Sequence, residues 1–546
     1  MPTMPDFPTD PPSDDTIAGV VARAAHRWPD ALACVDGDRR WSFGDWGDDV
    51  RRAAGAYVAA GLAPGDRIAL WAPNGAGWAL ASLGAAAAGL VVVPLNTRFK
   101  GAEAADLLQR ARCRLLVGVE QFLGATPLAA LAATGEALRD LTTVVVLGDD
   151  EPRTTVAGAI TRSWADLLAA AGAADIAEAD RRAAAVRPDD ISHIQFTSGT
   201  TGKAKGAMLR HRAMVGTTRD WVANVGLQAG ERYLIVSPYF HVSGHKTGVL
   251  ACLTAGATMH PHAVFDPATV MQRVAAERIT VLPGPPTIYQ TLLAHPDRTA
   301  YDLSSLRLAV TGAASIPAVL VRRMLDELGF DTVITAYGIT ETTGVVTMCR
   351  PGDDVDTIAE TSGRAVTGVE VRVVDESGTP LPPRATGEIV VRGYNVMAGY
   401  LDDPEATAAA VDADGWFHSG DLGDLDDHGN LRITDRITDV FTVGGFNTYP
   451  AEIEHQLLQH PDVVDAAVIG VPDERLGEVG MAFVVARAGH DLDTHALLAW
   501  CRERMANTKV PRYVQVCDAL PVNASGKVTK FELRRRAAEA GDGPLR

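Results

Sequence analysis

The sequence predicts an α/β protein, with a large N-terminal domain of packed mixed and parallel sheets covered by helices. A β-barrel-like subdomain and then a small α+β C-terminal domain follow it. Three observations carry this expectation. The chain has 546 residues, more than one typical domain holds. From Trp41 to Thr335, runs such as "LVVVPL", "TTVVVLG", "RYLIVSP", "ITVLPGP" and "RLAVTGA" alternate with Ala-rich helical stretches, the pattern of parallel strands under helices. After Tyr337 the pattern changes, and "VEVRVVDESGTPLPPRATGEIVVRG" alternates at period two around turn residues.

In chain order, residues 1–15 are acidic and proline-rich where a signal peptide would be basic and then apolar, so a disordered tail is expected there. Residues 16–437 form the large domain, with the β-rich subdomain over about 345–437. Within it, "GWALASLGAAAAGLVVVPL" (77–95) lacks any charge and imitates a membrane span. Its Ala and Gly gain little from lipid, and it is read as a helix followed by a buried strand. In "SIPAVLVRRMLDELG", Pro317 suits a first helical turn and Gly329 the end of a helix. From residue 438 to 546, "YPAEIEHQLLQHPDVVDAAVIGVPDERLGEVGMAFVVAR" runs helix, strand, loop, strand, and "DTHALLAWCRERM" adds a helix.

Composition narrows the function classes. The balance of 50 Lys plus Arg against 68 Asp plus Glu leaves a net charge of −18, which argues against nucleic acid as a partner and requires local positive charge for any anionic ligand. The six cysteines form no CxxC pair, so a reducing cytoplasm is the expected compartment. The sequence leaves the oligomeric state open, a homodimer included.

The densest chemistry lies in "TSGTTGKAKG" (197–206). Its glycines bring backbone N–H groups close to a ligand, its hydroxyls add donors and its lysines add charge, which together describe a phosphate cradle. A Walker A loop requires GxxxxGK[ST]. Thr197 stands at its first glycine and Ala204 follows Lys203, so that reading fails twice. A flexible surface loop is the plain alternative.

The loop resembles the signature of the adenylate-forming superfamily, which contains acyl-CoA synthetases, the adenylation domains of peptide synthetases and beetle luciferases. Ala204 replaces the usual proline. Six further motifs follow in that family's order: "VVVPLNTR" (91–98), "PYFHVSG" (238–244), "TAYGITE" (335–341), "GWFHSGDLG" (415–423), "DRITDVFTVGGFNTYPAEIE" (435–454) and "LPVNASGK" (520–527).

The resemblance implies activation of a carboxylic acid by ATP and Mg2+ as an acyl-adenylate, followed by transfer to a thiol. Thr197, Ser198, Gly199, Thr200, Thr201, Gly202, Lys203 and Lys205 would hold the phosphates, with Thr340 as a further phosphate contact. Glu341, together with Thr200, would hold Mg2+. Tyr337 and Gly338 would lie against adenine, with Gly312, Ala313 and Ala314 of "TGAAS" as the opposite wall. Asp421 would take the ribose hydroxyls and Arg436 would support the ribose or phosphates. Lys527 would bridge the carboxylate and the α-phosphate, and His241 would stand between the acyl and nucleotide pockets. His241 and His245 are also four apart, but without an HExxH glutamate or third ligand a metal pair is disfavoured.

For the thiol step, Gly444 and Gly445 would line the pantetheine route after rotation of the small domain, and the hinge position is Thr438 where the family usually has Lys or Asp. The chain extends only 19 residues past Lys527, so coenzyme A is expected as the acceptor over a fused carrier domain. At finer grain, residues 279–290, 440–454 and 468–487 resemble actinobacterial ligases that load CoA onto steroid-ring propanoates. That acid is the first substrate expectation, with medium-chain or alicyclic acids next. An enzyme that hands its adenylate to a separate carrier, and a non-catalytic nucleotide binder, are the competing readings.

Overall fold

The computed structural model describes residues 16–148, 152–197, 204–312, 316–437, 439–443, 446–473, 475–487, 489–490, 492–522 and 528–539. The predicted tail over 1–15 lies outside them. Two sheets and the helices between them make up most of the chain. The first is eight-stranded, in the order Gly399–Tyr400, Lys205–Arg210, Ile191–Thr197, Val91–Pro94, Arg67–Trp71, Cys113–Gly118, Thr143–Val146 and Ile160–Ser163. Its pairs are parallel from Ile191–Thr197 to Ile160–Ser163, and antiparallel on the other side.

The second sheet joins two four-stranded pieces. Arg39–Ser42, Leu32–Asp36, Thr258–Pro261 and Arg232–Ile235 form one, and Leu308–Gly312, Thr332–Tyr337, Thr347–Met348 and Arg364–Ala365 the other. Val281 bridges them by pairing with Tyr233 on one side and Leu308 on the other. A separate four-stranded antiparallel sheet begins at Val369, in the order Val369–Val374, Gly387–Gly393, Phe417–Leu425, Leu431–Arg436.

The charge-free stretch from Gly77 to Leu95 becomes the helix Ala76–Ala87 and the strand Val91–Pro94, with every helix residue but Gly77 buried. An apolar surface on all sides suits a helix enclosed by protein as well as one in lipid. Here Trp78, Leu80 and Leu83 share a core with Val50 and Tyr57 of helix Phe43–Ala59 and with Trp221 of helix His211–Val225. Among the described residues no helix is long and apolar enough to cross a membrane. Pro317 caps the helix Ala318–Asp326, and Gly329 lies just beyond it with φ +79°.

The C-terminal part is a five-stranded sheet. Phe446–Thr448, Phe441–Val443, Gly477–Ala486 and Val463–Asp473 run in that order, and Tyr513–Cys517 pairs in parallel with Gly477–Ala486. Helices Pro450–Leu457 and Thr494–Arg504 cover one face through Ile453, Leu457, Leu497 and Cys501. Helix Lys530–Glu539 covers the other through Leu533, against Ile469 and Phe483. The chain is thus mixed α/β, with a large N-terminal domain and a smaller α+β C-terminal one.

The "PYFHVSG" segment turns so tightly that a Cβ on Gly244 would sit 2.0 Å from the carbonyl oxygen of Pro238. That atom belongs to backbone and cannot swing away. Gly244→Ala is therefore expected to destabilise the protein by about 1–3 kcal/mol, as overpacking does, and to lower activity through the neighbouring His241. Urea unfolding checks it, and an unchanged midpoint would mean that the turn has slack.

Candidate active site

The strands that lead into the site end together. Ile191–Thr197 of the first sheet and Leu308–Gly312 and Thr332–Tyr337 of the second each deliver a loop at their carboxyl end, where open α/β sheets bind ligands. The glycine and threonine loop connects Ile191–Thr197 to the antiparallel strand Lys205–Arg210, with Thr197 paired to Lys205. Ser198, Gly199, Thr200, Thr201, Gly202 and Lys203 lie outside the described residues, as do Ala313, Ala314, Thr438, Gly444, Gly445 and Lys527. The last is flanked by an antiparallel bridge between Val522 and Val528.

The stretch after Tyr337 is held closely. A Cβ on Gly338 would lie 2.5 Å from the backbone of Gly344 and Val345, so only glycine lets the chain double back there. Thr340–Thr342 then forms one 3-10 turn that carries Glu341. Thr197 Oγ1 donates to Glu341 Oε1 at 3.2 Å and the Tyr400 hydroxyl donates to the same oxygen at 3.1 Å. Two sequence-predicted residues, Thr197 and Glu341, are thereby brought together, and Tyr400 joins them. Lys205 Nζ lies 5.1 Å from the centre of the Tyr400 ring.

A second group forms where the antiparallel sheet meets the second sheet. Asp421 is 4% exposed and pairs across strands with Arg436. Its Oδ2 accepts from the Tyr337 hydroxyl at 2.6 Å, and its Oδ1 lies 3.1 Å from Arg436 Nε. Burial, reinforced by the Asp421 charge, pushes the Tyr337 hydroxyl well above its ordinary range, so it remains a donor. Gly312, the described member of the expected adenine wall, pairs with Ala336, next to Tyr337.

His241 lies at the start of the short helix Val242–Gly244. Its Nδ1 accepts the Ser243 N–H at 3.2 Å and stands 2.8 Å from Ser243 Oγ. Burial, with help from the Lys246 charge, pushes its pKa down to about 4. A neutral ring that accepts at Nδ1 carries its proton on Nε2 and is a hydrogen-bond donor there. His245 points elsewhere, with Nε2 3.3 Å from Ser82 Oγ and its ring stacked edge-on against Trp78, so the two histidines do not converge.

Residues 21–401 match the family model for the AMP-binding enzyme, and residues 452–527 match that for the AMP-binding enzyme C-terminal domain. The chain belongs to the AMP-binding enzyme family. It is 50% identical to the 3-[(3aS,4S,7aS)-7a-methyl-1,5-dioxo-octahydro-1H-inden-4-yl]propanoyl:CoA ligase of Mycobacterium tuberculosis, over 95% of this chain and 98% of that protein. The ligase of the same name from Rhodococcus jostii is also 50% identical, over 95% and 98%. Among solved structures, the anthranilate CoA ligase AuaEII in complex with anthranoyl-AMP superposes with a TM-score of 0.86 at 26% identity, covering 97% of this chain and 99% of that one. ATP-bound MatB from Rhodopseudomonas palustris superposes at 0.82 with 30% identity, covering 96% and 99%. This AMP-binding enzyme is an acid–thiol ligase that uses ATP to join a carboxylic acid to coenzyme A.

Two residues that touch the candidate site carried no signal in the sequence. Tyr400 reaches Glu341 from the edge strand Gly399–Tyr400, a pairing its local sequence does not announce. Arg110 donates to the Ala204 carbonyl at 2.7 Å, beside the loop's exit, from a helix 94 residues earlier. A tyrosine after glycine and an arginine at a helix end are ordinary surface patterns, so nothing local marks either one.

Buried histidines surround this region. Burial pushes His211 down to about 4 and His245 down to about 3, and His193 well below its ordinary value. An unfolded histidine takes up its proton near pH 6.5, whereas these do not while the protein is folded. Their contribution to stability is therefore complete above about pH 6.5 and is lost as pH falls toward 4. Urea midpoints measured from pH 7 to pH 4.5 should fall, and His211→Gln with His245→Gln should flatten that slope by up to about 1.4 kcal/mol per pH unit for each histidine removed. Parallel slopes for wild type and variant would show that these histidines do not set the acid limit.

Proposed function

We propose that the chain activates a ring-bearing propanoate that carries ring ketones, forms its acyl-adenylate with ATP and Mg2+, and transfers the acyl group to coenzyme A in the cytoplasm. The observation that carries the chemistry is the placement of two carboxylates, Glu341 on Thr197 and Tyr400 and Asp421 on Tyr337 and Arg436, on either side of the end of strand Thr332–Tyr337. The acid is inferred from the identity to the two actinobacterial ligases.

The residues suit Mg2+. Glu341 Oε1 is taken up by two hydroxyl donors, whereas Oε2 has no hydrogen-bond partner among the described residues. One carboxylate oxygen beside hydroxyls is the hard, sparse donor set that Mg2+ takes when it is shared with substrate phosphates. Glu341 would hold the ion with Thr200, and when bound the ion supplies charge neutralisation at the phosphates.

In the first step an oxygen of the acid attacks the α-phosphorus and the bond from that phosphorus to the bridging oxygen breaks, releasing pyrophosphate. Asp421 accepts from the ribose hydroxyls, a role open to it once Tyr337 yields its hydrogen bond. Arg436 keeps the Asp421 charge paired. Backbone and hydroxyl donors of the loop from Thr197 to Lys205 hold the phosphates, and Lys527 spans the acid and the α-phosphate as charge builds. His241 donates from Nε2 to the acid. In the second step the thiol sulfur attacks the acyl carbonyl and AMP leaves. We assign this to a small domain comprising residues 438–546, rotated against residues 16–437, with Gly444 and Gly445 along the thiol's route.

Pyrophosphate and thioester release, measured across steroid-ring propanoates, alicyclic acids and medium-chain fatty acids, tests this reading. Turnover should require CoA and favour the keto acid, and an analogue with a ring ketone reduced to methylene should lose at least about tenfold in kcat/KM. Pyrophosphate that stops near one equivalent despite CoA would favour a separate acceptor. Lys527→Ala should lower the adenylation rate about 100 to 1,000-fold, and Thr200→Ala with Thr201→Ala should raise the ATP KM or lower kcat. Unchanged kinetics would remove those assignments.

A further inference from the structure

Lys246 is 0% exposed, within the π-helical turn His245–Leu250 that follows the His241 segment. Such turns are rare and concentrate at functional sites. Burying an amine is costly where an apolar side chain would pack, so a buried lysine needs an explanation. Its Nζ donates to the carbonyl oxygen of Thr343 at 2.7 Å, its one acceptor among the described residues. Asp220, on helix His211–Val225, is the carboxylate that faces it, and the Tyr394 hydroxyl donates to that carboxylate.

Thr343 closes the turn that carries Glu341. It is β-branched, yet its backbone lies in the left-handed region with φ +54°, a strained conformation for such a residue. Strain of this kind persists only where the surroundings impose it. Here the Thr343 hydroxyl donates to the Asn395 carbonyl at 2.8 Å, Asn395 Nδ2 donates to the Val345 carbonyl at 2.9 Å, and the Met397 N–H donates to the Glu341 carbonyl at 2.8 Å. The segment from Asn395 to Tyr400 therefore grips the turn on one side, and Lys246 grips the Thr343 carbonyl from the other. The fit is close, since a Cβ on Gly344 would stand 2.9 Å from Val242 Cγ2 and 3.7 Å from Lys246 Nζ.

We propose that Lys246 is a positioning residue: its hydrogen bond to the Thr343 carbonyl holds the strained turn that keeps Glu341 aimed at the metal, without itself touching ATP or the acid. This rests on the reading of Glu341 as the Mg2+ ligand. Removing the donor lets Thr343 relax out of the left-handed region, and Glu341 two residues earlier loses its fixed direction. A glycine at 343 adopts that conformation without strain, and although it gives up the hydroxyl's bond to Asn395, it no longer couples the Lys246 bond to a strained backbone.

Four variants of the full-length enzyme test the idea: Lys246→Met, Thr343→Gly, the two combined, and Glu341→Gln. Mn2+ replaces Mg2+, and its binding is read from the free-ion paramagnetic resonance signal in the presence of α,β-methylene-ATP, alongside adenylation kinetics and thermal unfolding. Lys246→Met should weaken Mn2+ binding and lower adenylation kcat by about tenfold each, the scale of one buried hydrogen bond, with the KM for CoA unchanged. In the Thr343→Gly background the same change should cost less than about threefold, because the coupled strain is gone. Where Lys246→Met alone does not fold, Lys246→Gln, a shorter side chain that draws its amide away from the Thr343 carbonyl, takes its place in both backgrounds, with the same outcomes read. Glu341→Gln that leaves Mn2+ binding intact would overturn the magnesium reading itself. Weakening by Glu341→Gln with no effect of Lys246→Met, or with an equal loss in both backgrounds, would overturn the role of Lys246 alone.

Discussion

The carboxylate of Glu341 is the constraint on which the rest of the site depends. On the role proposed for Glu341, a protein with a net charge of −18 sets an acidic group beside the polyphosphate of its nucleotide, where a misdirected carboxylate would repel what it should help to bind. The fold answers with neutral donors. Thr197 at the end of the first sheet and Tyr400 at its edge both donate to Glu341 Oε1, so the charge is held without being cancelled. Because these residues belong to three distant segments, the two sheets have to meet in one register for the turn to be occupied correctly.

Asp421 solves a related problem differently. It is nearly inaccessible, and the Tyr337 hydroxyl and the Arg436 guanidinium provide its company. Arg436, whose side chain is partly exposed, balances the Asp421 charge across the strand pair, a contribution that solvent screening keeps modest. The Tyr337 contact is easier to exchange, since a ribose hydroxyl can replace a phenol as donor with little net change in hydrogen bonding. One carboxylate is thus anchored by charge and the other by hydroxyl groups.

Much of this was legible from the sequence where function is written into contiguous residues. The loop from Thr197 to Gly206 announces a phosphate cradle by its residue types, whereas Glu341 and Asp421 are marked only by resemblance to the family's motifs, and their roles belong to the proposed function. The apolar stretch from Gly77 to Leu95 was legible too, because Ala-rich helix and β-branched strand differ in period and composition. What could not be read were contacts made across the fold. Tyr400 lies 59 residues from Glu341 and Lys246 lies 97 from Thr343, and no local pattern distinguishes either from an ordinary surface residue. A lysine in "GHKTG" reads as solvated until the sheets and helices that enclose it are present.

The proposed rotation of the small domain would act on a contact at Asp435. Asp435, at the end of the strand Leu431–Arg436, accepts from its neighbour Arg436 N–H at 2.8 Å and from the Ala451 N–H at 2.9 Å, the latter at the start of helix Pro450–Leu457. Burial pushes its pKa up, and the Lys530 charge opposes that rise. Rotation of the helix away from the strand would forfeit the Ala451 bond, worth about 1.5–3 kcal/mol for a charged acceptor, and would return Asp435 to water, which recovers part of that loss. On the proposed rotation, the loss of this bond is one contribution to the difference between two arrangements, and a bound substrate that contacts them differently would shift the balance.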